Sequence, residues 1–500
     1  MSAAGRHRTA PAIRFGTDGW RALIAREFTF ENLERVAQAY AEFLKRGPEG
    51  DGPAGGAGGP GGAPGPGGAH GADGGPRVAV GYDRRFLSDQ FARRAAEVLA
   101  GNGIKVSLFD SDVPTPLVSW AVREGGASGG VVVTASHNPA GFNGFKIKAP
   151  WGGSAPPETT RAVEALVDAT EPLDAPLPPD VHEGLAASAE SYRRQVESYV
   201  DLERLRAARA RVVVDPMHGT GGRWVESFLG GGALEAETIR ADRDALFGGV
   251  DPEPIDRNLG ALKARVREAG ALVGLATDGD ADRVGAVNEA GETMTMHEVV
   301  PVLLLHLARR RGMKGGVVRT FSQSVLLKRM AAALGLELYE TPIGFKYIAD
   351  LMLARDILIG AEESGGIGVR GHLPERDGIL NSLLFLEAVV ASGKTPSELV
   401  REVHREFGEF YFGRRDLRTE VARGLRLVEA LAADPPARVG PRAVASVETT
   451  DGTKLVFGDE SWLLFRQSGT EPVLRVYAEA TSVAGMNELL EEGGRLAGAA

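Results

Sequence analysis

At 500 residues the chain exceeds what one hydrophobic core usually organises, and roughly 150 residues per domain implies three or four domains. A formal net charge of -10 argues against a general nucleic-acid role, which needs a concentrated basic footprint. With no cysteine, disulfides and thiolate zinc sites are excluded, so any metal must take mainly oxygen ligands.

The polar, basic start from Met1 to Ile13 has no apolar core of a leader, and no segment offers the roughly 18 uninterrupted apolar residues of a membrane span. The expectation is a soluble, cytoplasmic protein without a membrane partner. Thr29 to Lys45 has helical spacing, with Leu33, Val36, Ala37, Tyr40, Phe43 and Leu44 on one side. From Gly47 to Pro76 the residues are almost only Gly, Pro and Ala, a composition unable to offset its ordering entropy by burial. A disordered insertion is expected there, inside a helix-to-strand connection that resumes at Val78 to Val80. Short apolar runs then alternate with helical patterns: Val106 to Phe109, Gly130 to Thr134, Arg211 to Val214, Leu272 to Ala276, Val317 to Thr320 and Ile357 to Ile359. This alternation predicts α/β layers with largely parallel sheets, in three successive units. The Pro-rich stretch Pro172 to Pro179 precedes a helix expected over Ser188 to Leu205. Strands expected at Arg415 to Thr419, Ala443 to Thr449 and Val473 to Ala478 suggest a final α+β domain. The domains are placed at 1–190, 191–295, 296–409 and 410–500.

Two segments carry chemistry. Asp278-Gly-Asp280-Ala-Asp282-Arg283 follows a buried strand, and carboxylates at alternate positions beside a Gly can converge on one hard cation. Glu289 stands twelfth from Asp278, as in an EF-hand, but the Gly needed sixth is Arg283, and Val284 to Val287 reads as a strand. The EF-hand is rejected; the plain alternative is an acidic surface turn. Arg283 is positioned to bind a phosphoryl oxygen. Thr134-Ala-Ser136-His137-Asn138-Pro139 also lies beyond a strand, where loops line a crevice in open α/β sheets. Ser136 is the nucleophile candidate. Alone the segment is equally a turn, but Asn143-Gly-Phe145-Lys146 follows with a cation able to serve in proton transfer.

With three further motifs in order, the chain resembles the α-D-phosphohexomutase superfamily over nearly its full length. Phe15-Gly-Thr-Asp-Gly-Trp-Arg21 is similar to the family's N-terminal substrate motif, Thr134 to Pro139 to its phosphoserine loop and Asp278 to Arg283 to its metal loop. Ala361-Glu362-Glu363-Ser364-Gly365-Gly366 resembles its sugar-specificity loop, and Arg466-Gln-Ser468-Gly-Thr470-Glu-Pro-Val-Leu-Arg475 its phosphate-binding loop. The resemblance implies four domains around a central cleft, three α/β domains with mixed sheets and a C-terminal α+β domain. It implies Mg²⁺ held by Asp278, Asp280, Asp282 and the phosphate on Ser136, with Arg21 and Lys146 at the phosphoserine site. Lys146 is the first candidate for general base and His137 the second. Glu362 and Ser364 would grip sugar hydroxyls. Arg466, Ser468, Gly469, Thr470 and Arg475 would hold the phosphate not in transfer, with Arg283, Arg319 and Lys346 lining the substrate site. The resemblance further implies hexose phosphate as the partner, glucose 1,6-bisphosphate as intermediate and activator, and a monomer or homodimer as the assembly.

Glucosamine-type members usually have Glu-Gln-Ser-Gly-His in the sugar loop and many dual glucose/mannose enzymes Glu-Met-Ser-Gly-His. Here Gly366 stands at the His position, its contact absent or supplied by another residue such as His372 or Lys346. The Glu-Glu-Ser form, with Thr341-Pro-Ile-Gly344-Phe345-Lys346 upstream, ranks glucose phosphate first, mannose phosphate second and glucosamine phosphate third. A metal-dependent phosphatase and a non-catalytic phosphosugar-binding protein are the rivals. The Arg466 to Arg475 module argues against the first, and intact Ser136, Lys146 and aspartates against the second.

Overall fold

The computed structural model describes residues 13–16, 18–47, 75–469 and 472–499. Most of the expected insertion at 47–76, together with Thr470, lies outside them. The chain divides into two compact units, Met1–Ala189 and Glu190–Ala500.

The first unit is built on one five-stranded sheet in the order Trp20–Leu23, Phe142–Lys148, Gly129–Val133, Arg77–Tyr82, Lys105–Leu108. The last three strands are parallel and joined by the helices Ser88–Gly101 and Thr115–Glu124, whereas the first two are antiparallel additions. Gly129–Val133 is buried along its whole length, as a strand covered on both faces must be. The helix Phe30–Arg46 starts where Thr29 Oγ1 accepts from the Asn32 N–H at 3.2 Å, a capping contact that satisfies one of the donors left open at a helix start. It lays Leu33, Val36, Ala37 and Tyr40 into the core, with Phe43 and Leu44 at its margin.

Among the described residues the second unit holds three sheets. One runs Thr293–Met294, Val284–Val287, Val273–Thr277, Arg211–Asp215, Glu235–Thr238, and the next Leu338–Thr341, Gly316–Thr320, Ile357–Ala361, Ile367–Val369. Both repeat the arrangement of the first unit: three parallel strands, then an antiparallel fourth beside the third. The sheets are therefore mixed, as the family resemblance implies, rather than largely parallel as the alternation of strands and helices alone suggests. The connections 134–141, 278–283 and 362–366 are too short for the dozen or more residues of a parallel crossover, so the chain must turn straight back.

A single helix over Ser188 to Leu205 does not form; Leu185–Tyr199 and Leu202–Ala207 are separate helices. Asp201 divides them, its carboxylate capping the second helix through the Arg204 N–H (3.1 Å) while its own N–H donates to Glu387 Oε2 (3.0 Å). The last sheet is antiparallel throughout, in the order Tyr411–Arg418, Val473–Ala480, Trp462–Gln467, Thr453–Phe457, Arg442–Glu448, Arg438–Val439. Leu463, Phe465, Leu474 and Val476 of one face pack with Leu489 and Leu490 of the helix Val483–Ala499. Trp462, Leu464 and Tyr477 of the other face pack on Phe321.

Candidate active site

Three of the five motifs occupy one topological position. The serine, acidic and Glu-Glu-Ser loops each leave the third strand of a sheet and return as its antiparallel fourth. Each contains a residue with positive φ, Ser136 (52°), Ala281 (59°) and Gly365 (96°), and loops at this strand end are where α/β sheets place ligands.

Ser136 is almost fully buried, and its N–H donates to Thr134 Oγ1 at 2.8 Å. Its Oγ lies 3.3 Å from His137 Nδ1. A left-handed conformation at a non-glycine residue is sparsely populated and persists only where the surroundings impose it. Here they do so through Arg85, which lies outside the five motifs. Its fully buried guanidinium donates to the carbonyls of Ser136 (2.7 Å), Asn138 (2.6 Å), Pro139 (2.8 Å) and Phe142 (3.0 Å). Nε of the same group donates to Asp83 Oδ2 at 3.0 Å. Asp83 in turn accepts from Thr134 Oγ1 (2.6 Å) and Ser88 Oγ (2.7 Å); burial pushes its carboxyl above the ordinary range, against the pull of Arg85. The signal was a buried Asp-x-Arg at the end of the strand Arg77–Tyr82, which no spacing rule singles out.

Lys146 and Arg21 come to the same loop. Lys146 is fully buried with Nζ 3.0 Å from Asp18 Oδ2, and Arg21 Nη1 donates to Asn138 Oδ1 at 2.7 Å. They meet because Trp20–Leu23 pairs with Phe142–Lys148, placing Arg21 opposite Gly144. A Cβ on Gly144 would stand 2.5 Å from the Thr134 carbonyl oxygen, and one on Gly19 2.7 Å from that of Phe145, which accounts for glycine in both motifs.

Asp278, Asp280 and Asp282 are all fully buried, and each offers a carboxylate oxygen within 4.8 Å of the others. Burial, then the charges of Asp280 and Asp282, holds the Asp278 carboxyl well above the usual range. An all-oxygen set at this spacing fits a hard divalent cation, which would relieve that mutual repulsion. Glu289 accepts instead from Thr395 Oγ1 at 2.9 Å and from the Ser397 N–H at 3.3 Å, and Val284–Val287 is a strand, so neither feature belongs to an EF-hand. The Arg283 N–H donates to Asp278 Oδ1 (3.0 Å), and its guanidinium lies 3.9 Å from Glu253 and 4.0 Å from Asp282.

The acidic and Glu-Glu-Ser loops are joined through backbone: Arg283 bridges Gly366, and the Val284 N–H donates to the Gly365 carbonyl at 3.0 Å. Glu362 is buried, which pushes its carboxyl up to about 7 despite Arg376 and Arg283 nearby. Glu363 turns elsewhere and accepts from Ser322 Oγ at 2.6 Å. Arg319 pairs with Glu340 (2.7 Å) and donates to the Ser324 carbonyl (3.2 Å). Lys346 Nζ lies 5.0 Å from the Tyr347 ring centre. His372 Nε2 lies 2.9 Å from Asp377 Oδ2, which also accepts from Tyr192 Oη at 2.8 Å. In the last sheet Arg466 and Arg475 are cross-strand partners. Arg466 Nε donates to Asp451 Oδ1 at 2.9 Å, and Asp451 Oδ2 accepts from the Ile343 N–H, also at 2.9 Å. The buried Ser468 donates its N–H to the Val473 carbonyl at 2.9 Å, and among the described residues a Cβ on Gly469 would meet no atom within 4 Å.

Four family profiles match the chain in order. Phosphoglucomutase/phosphomannomutase alpha/beta/alpha domains I, II and III match residues 68–174, 190–291 and 296–407, and the C-terminal domain matches 417–493. A Thermococcus kodakarensis phosphoglucomutase/phosphomannomutase is 30% identical over 96% of this chain and 98% of its own. A Carboxydothermus hydrogenoformans phosphoglucosamine mutase is 29% identical over 96% and 97%. Among solved structures, a Thermus thermophilus protein described as a phosphomannomutase is 37% identical, with a TM-score of 0.81 over 97% of this chain and 99% of the other. With its four domains and their mixed and antiparallel sheets, the chain belongs to the phosphoglucomutase/phosphomannomutase family of α-D-phosphohexomutases, intramolecular phosphotransferases of the isomerase class.

Proposed function

We propose that this phosphohexomutase is a cytoplasmic phosphoglucomutase interconverting glucose 1-phosphate and glucose 6-phosphate through a phosphoserine at Ser136 and glucose 1,6-bisphosphate. The phosphoserine P–O bond breaks as a sugar hydroxyl oxygen bonds to the phosphorus; Lys146, or His137, takes the hydroxyl proton and Ser136 Oγ regains one. After the bisphosphate turns around, its other phosphate returns to Ser136. Asp278, Asp280 and Asp282 are the residues that would hold Mg²⁺, whose charge offsets that of the transferring phosphoryl group. Glu362 and Ser364 hold sugar hydroxyls that keep their places when the sugar turns. Arg466, Ser468, Gly469, Thr470 and Arg475 bind the phosphate not in transfer, with Arg283, Arg319 and Lys346 beside the substrate.

The observation that carries the glucose assignment is the loop Glu362-Glu363-Ser364-Gly365-Gly366, where a carboxylate and a glycine replace the uncharged residue and the His of glucosamine-type members. A dual glucose/mannose activity is the second reading, favoured by the phosphomannomutase names among similar proteins. Initial rates on glucose, mannose and glucosamine 1-phosphates, with Mg²⁺ and a trace of glucose 1,6-bisphosphate, decide between them. Glucose should be fastest; a preference for mannose or glucosamine would overturn the assignment, and free phosphate as sole product would favour a phosphatase. Ser136→Ala should abolish turnover and incorporation of phosphate while sugar-phosphate binding persists in calorimetry.

A further inference from the structure

Gly366 poses a packing question that the backbone answers. A Cβ at this position would stand 2.5 Å from Arg376 Cδ, 3.0 Å from its Cγ and 2.8 Å from Glu362 Oε2. Neither backbone has room to yield. Gly366 bridges Arg283 and its carbonyl accepts from the Glu362 N–H at 2.9 Å. Two residues beyond Arg376, the Gly378 N–H donates to the Ala281 carbonyl at 3.0 Å, and a Cβ there would lie 2.4 Å from the Arg283 carbonyl oxygen. The space beside Glu362 therefore admits one side chain, from 366 or from 376.

The side chain that fills it makes specific contacts. Arg376 is 5% exposed. Its Nη2 lies 3.0 Å from Asp282 Oδ2, its Nη1 4.0 Å from Glu362 Oε2 and its Nε 3.3 Å from Glu375 Oε1. The guanidinium carbon lies 5.5 Å from the Phe345 ring centre. One planar cation thus spans the acidic loop and the sugar loop. His372 and Lys346 are engaged elsewhere, with Asp377 and the Tyr347 ring.

We propose that Arg376 is a positioning residue that takes the place left by Gly366, fixing Glu362 for the sugar hydroxyls and tying it to the cation-binding Asp282. This deepens the mutase reading and rests on it. A guanidinium stays protonated and keeps a rigid fork, so Arg376 orients its partners and moves no proton. Its charge also opposes a cation at the aspartates. Holding Asp282 in place thus weakens cation binding while strengthening sugar binding.

The test is a double-mutant cycle on the full-length enzyme with Gly366→Ala and Arg376→Ala, read by calorimetric affinities for Mg²⁺ alone and for glucose 6-phosphate, and by KM and kcat. Arg376→Ala should weaken glucose 6-phosphate binding and raise KM at least tenfold while tightening Mg²⁺ severalfold, opposite shifts that a simple loss of packing does not produce. Arg376→Lys should recover only part of the sugar affinity. Gly366→Ala should lower sugar affinity at least tenfold in the wild-type background and severalfold less in Arg376→Ala, where only the approach to Glu362 Oε2 remains. Losses that multiply independently, or Mg²⁺ affinity that falls with sugar affinity, would overturn the proposal. Because the Mg²⁺ readings need no sugar, they judge Arg376 whichever hexose phosphate is the substrate; wild-type enzyme inert on all three would instead sink the function assigned above.

Discussion

The guanidinium of Arg85 binds three carbonyls of the serine loop, that of Phe142 at the start of the next strand and the carboxylate of Asp83. No flexible side chain could replace this arrangement, because the fork must meet several acceptors at once. Arg85→Met should leave the Asp83 carboxylate buried without its cation, a change that costs about 3–5 kcal/mol, measurable as a lower urea midpoint. Asp83 already titrates above its ordinary value in the folded chain, and losing Arg85 raises it further. The folded variant then binds a proton more tightly than the unfolded chain, so its stability falls as pH rises from about 4 through the folded value. The loss should be smaller at pH 5 than at pH 7. With Ser136 no longer held in its left-handed conformation, phosphate incorporation, followed by mass spectrometry, should fall more than sugar-phosphate affinity.

At the scale of elements, Lys454 belongs to the strand Thr453–Phe457 that presses the last sheet onto Phe321. Its Nζ lies 3.8 Å from the Phe321 ring centre, 5.2 Å from that of Trp462 and 3.5 Å from Glu448 Oε2. Burial is the main cause that brings its pKa down to about 8 from 10.5; Glu340 and Glu448 act against it and Arg319 with it. Between those values the unfolded chain keeps a proton that the folded chain has released, so stability rises with pH across that window. The lowered value means that the charged form is destabilised on folding, the cation–π contacts with Phe321 and Trp462 notwithstanding. Lys454→Met should therefore gain at least about 1 kcal/mol at pH 7 in urea titrations, one unit of lowered pKa being worth about that much. That advantage should fade toward pH 10.5; an unchanged gap between the two proteins across this range would show that Lys454 does not titrate there.

For the molecule as a whole, the concentration of buried like charge at Asp278, Asp280 and Asp282 makes stability depend on what binds there. Mg²⁺ at a hundred times its dissociation constant should stabilise the folded chain by about 2.7 kcal/mol, seen as a higher calorimetric midpoint that chelation reverses. Asp280→Asn should lose most of that increment while unfolding at a similar or higher temperature without the ion, since one of three repelling charges is gone. Hydrogen exchange should slow on Mg²⁺ addition in 278–283 and, through the Arg283–Gly366 bridge, in 362–366. Unchanged exchange in the second segment would mean that this bridge transmits nothing. No helix among the described residues is long and apolar enough to cross a membrane.

Much of this was legible from residue types alone. Apolar runs such as Val131 to Val133 and Leu275 to Ala276 mark buried strands because both their faces are covered, and three alternating aspartates after one of them form an oxygen-donor set that suits a hard cation. The family followed from five motifs in order. What the sequence withheld depends on the third dimension. The antiparallel fourth strands, the break at Asp201 and the strands Thr453–Phe457 and Trp462–Gln467 arise from connection length, a capping carboxylate and packing on a neighbouring sheet, none of which a local pattern records. Arg85 and Arg376 look like ordinary surface arginines in the chain. Only the tertiary structure makes them a clamp on the serine loop and a cation between Asp282 and Glu362, because their acceptors come from segments distant in sequence, and a long-range hydrogen bond leaves no periodic trace.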